Sequence, residues 1–261
     1  MVSSTRAETN LASAERLVAK AAESGAQLVL LPEYFCILGN KDTDKVAIQE
    51  QFGQGPIQDG LANLAQRHQI WLLGGTLPLH SDNEGKVRNT LLCFDPNGKV
   101  AARYDKIHLF NFHHNEHAFD EARTIEPGHA PTVLQAAIGG EVLKVGLSVC
   151  YDLRFPELYR ALGICDLMVV PSAFTEVTGR AHWEILLRAR AIENQCYVLA
   201  AAQGGLHENQ RRTFGHTMLI DPWGEILAEL DEGEGVVMGR IDFSLMDDVR
   251  SRLPALRHRT M

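Results

Sequence analysis

Between Leu11 and Ala26 the apolar positions fall at Leu11, Ala14, Leu17, Val18 and Ala21, one face of a 3.6-residue repeat, so the segment predicts a helix. Gln27-Leu-Val-Leu-Leu-Pro32 follows as a short apolar run ended by proline, the pattern of a buried strand. Leu61–Arg67 predicts a second helix and Ile70–Thr76 a second strand. Thr90–Phe94 and Val100–Tyr104 flank Asp95-Pro-Asn-Gly98, a hairpin turn. Leu143–Val149 is another buried strand, leading straight into Cys150. Pro156–Leu162 reads as a helix with proline in its first turn, Asp166–Pro171 as a strand and His182–Asn194 as a strong helix. Strand patterns then dominate: Cys196–Ala202, Thr217–Ile220, Glu225–Leu230 and Gly235–Ile241, with a second hairpin turn at Asp221-Pro-Trp-Gly224. Asn111–Pro131 is the longest stretch without periodicity, a length at which loops are often functional.

Strands and helices that alternate early and give way to strands imply a mixed α/β class with sheets at the centre. The 261 residues suit one domain spanning 1–261, and no repeat or linker interrupts them. A net charge of −8 argues against nucleic acid or an anionic membrane as the main partner, while leaving room for a local positive pocket. Cys36, Cys93, Cys150, Cys165 and Cys196 form no CxxC pair, which fits a reducing compartment. No apolar run is long enough to span a bilayer and the first residues are not a signal peptide, so the cytoplasm is the expected location.

Three strand ends carry chemistry. A thiol at Cys150, between a strand and a helix, is held at a rim, where the amides of the following turn can serve a thiolate and later an oxyanion. A packed, inert cysteine fits the same local pattern equally well. Glu33 emerges from Leu30-Leu31-Pro32, where a carboxylate is costly to desolvate without a partner or a task; a solvated loop acid is the plainer reading. Lys106 follows Val100–Tyr104 and also fits an edge residue with its amine in water. Taken singly, none of the three is specific.

Together these segments resemble the nitrilase superfamily of carbon–nitrogen hydrolases across nearly the whole chain. Leu31-Pro-Glu-Tyr34 is similar to its glutamate motif, Tyr104-Asp-Lys-Ile-His108 to its lysine motif, and Gly146-Leu-Ser-Val-Cys-Tyr-Asp-Leu-Arg-Phe-Pro-Glu157 to its cysteine motif. A second family glutamate falls on Glu121. Pro171-Ser-Ala-Phe174, Thr178-Gly179, Ala181-His-Trp-Glu184, Leu187–Glu193 and Asp221-Pro-Trp-Gly224 resemble the deaminated glutathione amidase branch, with the ω-amidase branch close behind. The resemblance implies a four-layer αββα sandwich, assembled as a dimer or larger through its outer faces. It also implies a core strand just before the segment that aligns with Met1, so the chain is expected to begin at that strand's end. Asn111-Phe-His-His-Asn-Glu-His117 departs from the nearest branch in a loop that borders the pocket.

By the same resemblance, Glu33 takes the Cys150 proton and Lys106 with the Tyr151 N–H holds the oxyanion. Glu121 orients Lys106, and the products are a carboxylate and ammonia, with no metal or organic cofactor. Arg154, Phe174 and Thr178 would hold a carboxylate of the small amide substrate; an arginine bracing the loop through Asp152 or Glu157 is the alternative. Nitrile or N-carbamoyl hydrolysis by the same residues, and an idle interaction scaffold, are the competing functions. His113, His114 and His117 with Glu116 lack HExxH spacing and read as a pocket-rim loop. His182-Trp-Glu-Ile-Leu-Leu-Arg188 reads as a core-packing helix, and Arg211-Arg212 is too short for a nucleic-acid patch.

Overall fold

The computed structural model describes residues 1–114 and 117–260; the side chains at 113–118 lie outside that description, and with them the reading of His113, His114, Glu116 and His117. Helix α1 (Ala7–Glu23) buries Ala14, Leu17, Val18 and Ala21, the predicted face. Strand β1 (Leu28–Leu30), the short helix α2 (Asp44–Ala47), helix α3 (Pro56–His68) and strands β2 (Trp71–His80), β3 (Val87–Phe94) and β4 (Val100–Asp105) follow. The strands form a sheet in the order β1-β2-β3-β4, parallel between β1 and β2 and antiparallel beyond.

The predicted loop Asn111–Pro131 opens with a hairpin of β5 (Asn111–His114) and β6 (His117–Asp120), then a 3-10 turn at Glu121–Arg123. Strands β7 (Val133–Ile138) and β8 (Glu141–Leu147), helix α4 (Pro156–Ala161), β9 (Leu167–Val169), helix α5 (Glu176–Asn194) and β10 (Tyr197–Ala200) come next. A small hairpin of β11 (Gly204–Leu206) and β12 (Arg212–Phe214) precedes β13 (Thr217–Ile220), β14 (Ile226–Leu230) and helix α6 (Phe243–Arg252). The second sheet runs β14-β13-β10-β9-β8-β7.

Strand periodicity explains the layers. In β2 and β3, Leu72, Leu92 and Phe94 turn towards α1 and α3, whereas their neighbours Leu73, Leu91 and Cys93 join the core that holds Leu134, Val145 and Leu147 of the second sheet. On the far side of that sheet, Trp183 and Leu187 of α5 and Tyr159 of α4 are buried. Helices, sheet, sheet and helices thus make the expected four-layer αββα sandwich.

Two expectations need correction. Helix α5 starts at Glu176 rather than His182, because the Thr175 side chain accepts the Thr178 N–H and caps it. Gly235–Ile241 is not a strand: among the described residues it pairs with no strand, and its apolar residues pack instead, Val236 on the α1/α3 core and Val237 and Ile241 on the larger one. Strand β7 was not expected, although Val133–Ile138 alternates exposed and buried residues and Gly139-Gly140, both at positive φ, turn it straight into β8.

Where β2 passes the end of β1 the backbones nearly touch. A Cβ on Gly75 would lie 2.1 Å from the Leu31 carbonyl oxygen and 2.2 Å from that of Pro32. Gly60, within α3, has open space around it. Gly75→Ala is therefore expected to lose about 1–3 kcal/mol in urea unfolding, while Gly60→Ala gains roughly 0.5–1 kcal/mol. Equal effects at the two positions would show that the close approach does not constrain the fold.

Candidate active site

Each candidate side chain is placed by the element before it. After β1, the Leu31 N–H still donates to the Leu73 carbonyl (3.0 Å), so Glu33 leaves a strand that remains tied to β2. Tyr34 then takes φ 56°, its N–H donating to Thr76 Oγ1 at 2.9 Å, and this sharp turn directs Glu33 inward. Lys106 follows β4, and its N–H continues the ladder to the Asn89 carbonyl at 3.0 Å. Glu121 opens the 3-10 turn capped by Asp120.

Cys150 sits at φ 50°, immediately after the extended Val149. Left-handed backbone at a residue with a side chain costs about 1–3 kcal/mol and needs surrounding structure to hold it. Asp152 supplies much of that hold: it accepts the Val149 N–H (2.9 Å), the Tyr104 hydroxyl (2.7 Å) and the His108 N–H (3.0 Å). From behind, the buried Arg190 of α5 donates through Nε and Nη2 to the Leu153 carbonyl, at 3.1 and 2.8 Å.

These elements bring one cation between two carboxylates. Lys106 Nζ donates to Glu33 Oε1 at 2.9 Å and to Glu121 Oε1 and Oε2 at 2.9 and 2.8 Å. Lys106 and Glu33 are 0% and 1% exposed. Asn89 Nδ2 donates to Glu33 Oε1 (3.0 Å) and the Ala173 N–H to Oε2 (3.0 Å). Both oxygens of Glu121 are already committed, Oε1 also to the Tyr34 hydroxyl (2.6 Å) and Oε2 also to the Phe110 N–H (2.7 Å).

Burial alone would lower the Lys106 pKa, but the Glu121 and Glu33 carboxylates outweigh it and hold the ammonium well above its ordinary range. Burial and then Glu33 push the Cys150 thiol well above 9.0, against the pull of Lys106. The expected help to a thiolate from nearby amides does not prevail in this resting arrangement. A neutral thiol beside a charged lysine is what the geometry holds.

Glu33, Glu121, Cys150, Tyr151, Arg154, Phe174 and Thr178 all line one cavity of about 300 Å³, its mouth included. Lys106 lies behind it, in contact with both acids. Larger hollows along α5 and beside Gln27–Leu28 contain none of these groups. Arg154 does not brace the loop as the alternative reading had it, since among the described residues it meets no carboxylate within 4.0 Å. Its Nη1 donates to His182 Nδ1 (3.2 Å), and its guanidinium lies 5.4 Å from the Phe174 ring centre. Sequence reasoning gave no site role to Asn89, Tyr34 or Ala173, and weighed Arg211 only as part of a nucleic-acid patch. Asn89 lies within β3, opposite Pro78 of β2, and only the folded arrangement shows that its side chain meets Glu33 beyond the end of β1.

A two-sheet sandwich with a thiol, a buried lysine and two acids at its sheet ends defines a class of hydrolase that works through a cysteine. The sequence profile of the Carbon-nitrogen hydrolase family matches residues 2–251, and the chain belongs to that family. It is 42% identical over 264 residues to the deaminated glutathione amidase of Synechocystis sp. (strain PCC 6803 / GT-S), covering 99% of this chain and 95% of that protein. Saccharomyces cerevisiae Nit3, a nitrilase-superfamily member, superposes with a TM-score of 0.86 at 30% identity, over 100% of this chain and 95% of that one. An amidase variant from Nesterenkonia sp. AN1, with acrylamide added to its active-site cysteine, is 28% identical with a TM-score of 0.76, over 97% and 95%.

The Glu121 carboxyl is held below its ordinary 4.5: burial pushes it up, but the Lys106 charge and the bonds from Lys106, Tyr34 and Phe110 prevail. Its stabilising contribution is therefore present above that value and is lost as pH falls through the lowered one. Glu121→Gln removes this titration, so unfolding free energy measured between about pH 6 and pH 3 should fall less steeply than in wild type. An equally steep acid limb would mean that other groups carry it.

Proposed function

We propose that the protein is an amidase that opens a small carboxylate-bearing amide through a Cys150 thioester. The observation that carries this reading is Lys106, held charged between Glu33 and Glu121 behind the cavity that contains the thiol. Glu33 takes the Cys150 proton as the substrate carbonyl arrives, and sulfur attacks the carbonyl carbon. Lys106 and the Tyr151 N–H receive the oxyanion, each donor worth about 3 kcal/mol of transition-state stabilisation. Collapse breaks the carbon–nitrogen bond, and Glu33 returns its proton to the departing nitrogen. The same carboxylate then activates water, which displaces Cys150 from the thioester. Glu121, with all its acceptor positions filled, positions Lys106 instead of transferring protons.

Arg154, flanked by Phe174 and Thr178, holds the carboxylate at the acyl end. Likeness to a deaminated glutathione amidase supports deaminated glutathione as substrate, with α-ketoglutaramate as its minimal analogue. Hydrolysis of the former releases a dipeptide amine in place of the ammonia expected from sequence, hydrolysis of the latter releases ammonia, and the acyl half of both is 2-oxoglutarate. Ile185 and Ile192 on the outward face of α5, 69% and 49% exposed, support assembly into a dimer or larger. Five unpaired thiols support a reducing, cytoplasmic setting.

The test is 2-oxoglutarate release from these two amides, beside neutral aliphatic amides, nitriles and N-carbamoyl compounds. Cys150→Ala is expected to lose about 1,000-fold or more in kcat, and Glu33→Gln about 100-fold or more. Turnover that survives in Cys150→Ala would end the thioester reading. Arg154→Ala should raise KM for the acidic amides by about 10- to 100-fold. An equal rise for neutral amides would remove Arg154 from carboxylate recognition.

A further inference from the structure

Beyond the catalytic cavity lies a second hollow of about 580 Å³, its mouth included, lined among others by Lys41, Lys45, Asp42, Phe119 and Asp120. The two share Tyr34, Phe110, Glu121 and Arg211. Arg154, Phe174 and Thr178 border only the first. Arg211 therefore stands at the junction, on the side away from Arg154.

Arg211 is poorly satisfied for a guanidinium in such a place. Its Nε is buried without a hydrogen-bond partner. Its Nη2 reaches the Ala173 carbonyl only at 3.4 Å, and the group lies 5.2 Å from the Phe119 ring centre. Among the described residues no carboxylate approaches it within 4.0 Å, whereas the neighbouring Arg212 pairs with Glu232 and Glu176. Lys45 is similarly placed in the second hollow, donating to Thr124 Oγ1 at 3.2 Å and lying 5.7 Å from the Tyr34 ring centre, again with no carboxylate within 4.0 Å among the described residues. Lys45 feels Glu121 and Asp42 only beyond contact distance, and the buried Arg211 Nε has no partner at all; partly desolvated cations with no anion in contact are costly, and a ligand that supplies one relieves that cost.

We propose that Arg211, with Lys45 beyond it, receives a carboxylate carried by the leaving group, so that the site reads an amide with an anion at each end. The inference rests on the amidase reading above: with the acyl carboxylate on Arg154 and the carbonyl at Cys150, the amide nitrogen and whatever it carries point towards Arg211. Deaminated glutathione fits this description, because its departing dipeptide ends in a glycine carboxylate. α-Ketoglutaramate, whose leaving group is ammonia, does not use the second hollow. Arg211 is thus a specificity residue, with no part in the bond-making steps.

The experiment compares kcat/KM for deaminated glutathione and for its glycine methyl ester, read as 2-oxoglutarate release, in wild type, Arg211→Lys and Arg211→Ala. Wild type is expected to favour the free carboxylate by about 10- to 100-fold, the range for a hydrogen bond between charged groups. Arg211→Ala should abolish that preference and Arg211→Lys should keep part of it. General damage, such as a displaced Ala173 and hence Glu33, lowers both substrates together and leaves the ratio intact. A wild-type ratio near unity, or an Arg211→Ala ratio equal to wild type, overturns the proposal while leaving the amidase reading standing. Wild type that hydrolyses neither compound overturns the deaminated glutathione reading itself, and this inference with it.

Discussion

Lys106 carries its charge where no water reaches it, and the site is organised around meeting that demand. Desolvating one ammonium costs several kcal/mol, and two carboxylates at 2.8–2.9 Å offset the cost only if each is itself held. Glu33 is held by Asn89 and the Ala173 N–H, Glu121 by Tyr34 and the Phe110 N–H. Those partners come from β3, from the segment after β9, from the β1 exit and from the loop after β4. The three charges arrive from the first sheet and the loop after it, and the Ala173 N–H ties them to the second, so a slide between the sheets would strip a donor from the buried Glu33 carboxylate.

The nucleophile is coupled to the same frame by a separate acid. Asp152 gathers Val149, Tyr104 and His108, so the left-handed turn at Cys150 is fastened to the strand that delivers Lys106. Arg190 fastens the far side of that turn to α5. Lysine and thiol thus keep a fixed relation although they arrive on different sheets.

Much of this was legible in the sequence. Glu33 and Cys150 each follow a short apolar run and Lys106 follows a hairpin strand, and that local pattern marks residues delivered to a rim; motif resemblance then tied the three together and added Glu121. What stayed hidden depended on pairing between distant segments. Asn89 is a polar residue inside a strand until the fold brings the β1 exit, and Glu33 with it, against its side chain, and Arg211 is half of an Arg-Arg pair until its neighbour is seen to take the carboxylates. Gly235–Ile241 misled for the opposite reason: its apolar residues meet a core, but among the described residues no strand offers them a ladder.

The neutral thiol has a consequence for the protein's lifetime. Peroxide and other electrophiles attack the thiolate far faster than the thiol, and the first oxidation product leads on to forms that reductants do not reverse. A cysteine that is 7% exposed and kept protonated by burial and a neighbouring carboxylate presents little of that target between turnovers. Burial and the neighbouring carboxylate, which hold the proton on Cys150, thus also limit how much thiolate an oxidant can meet.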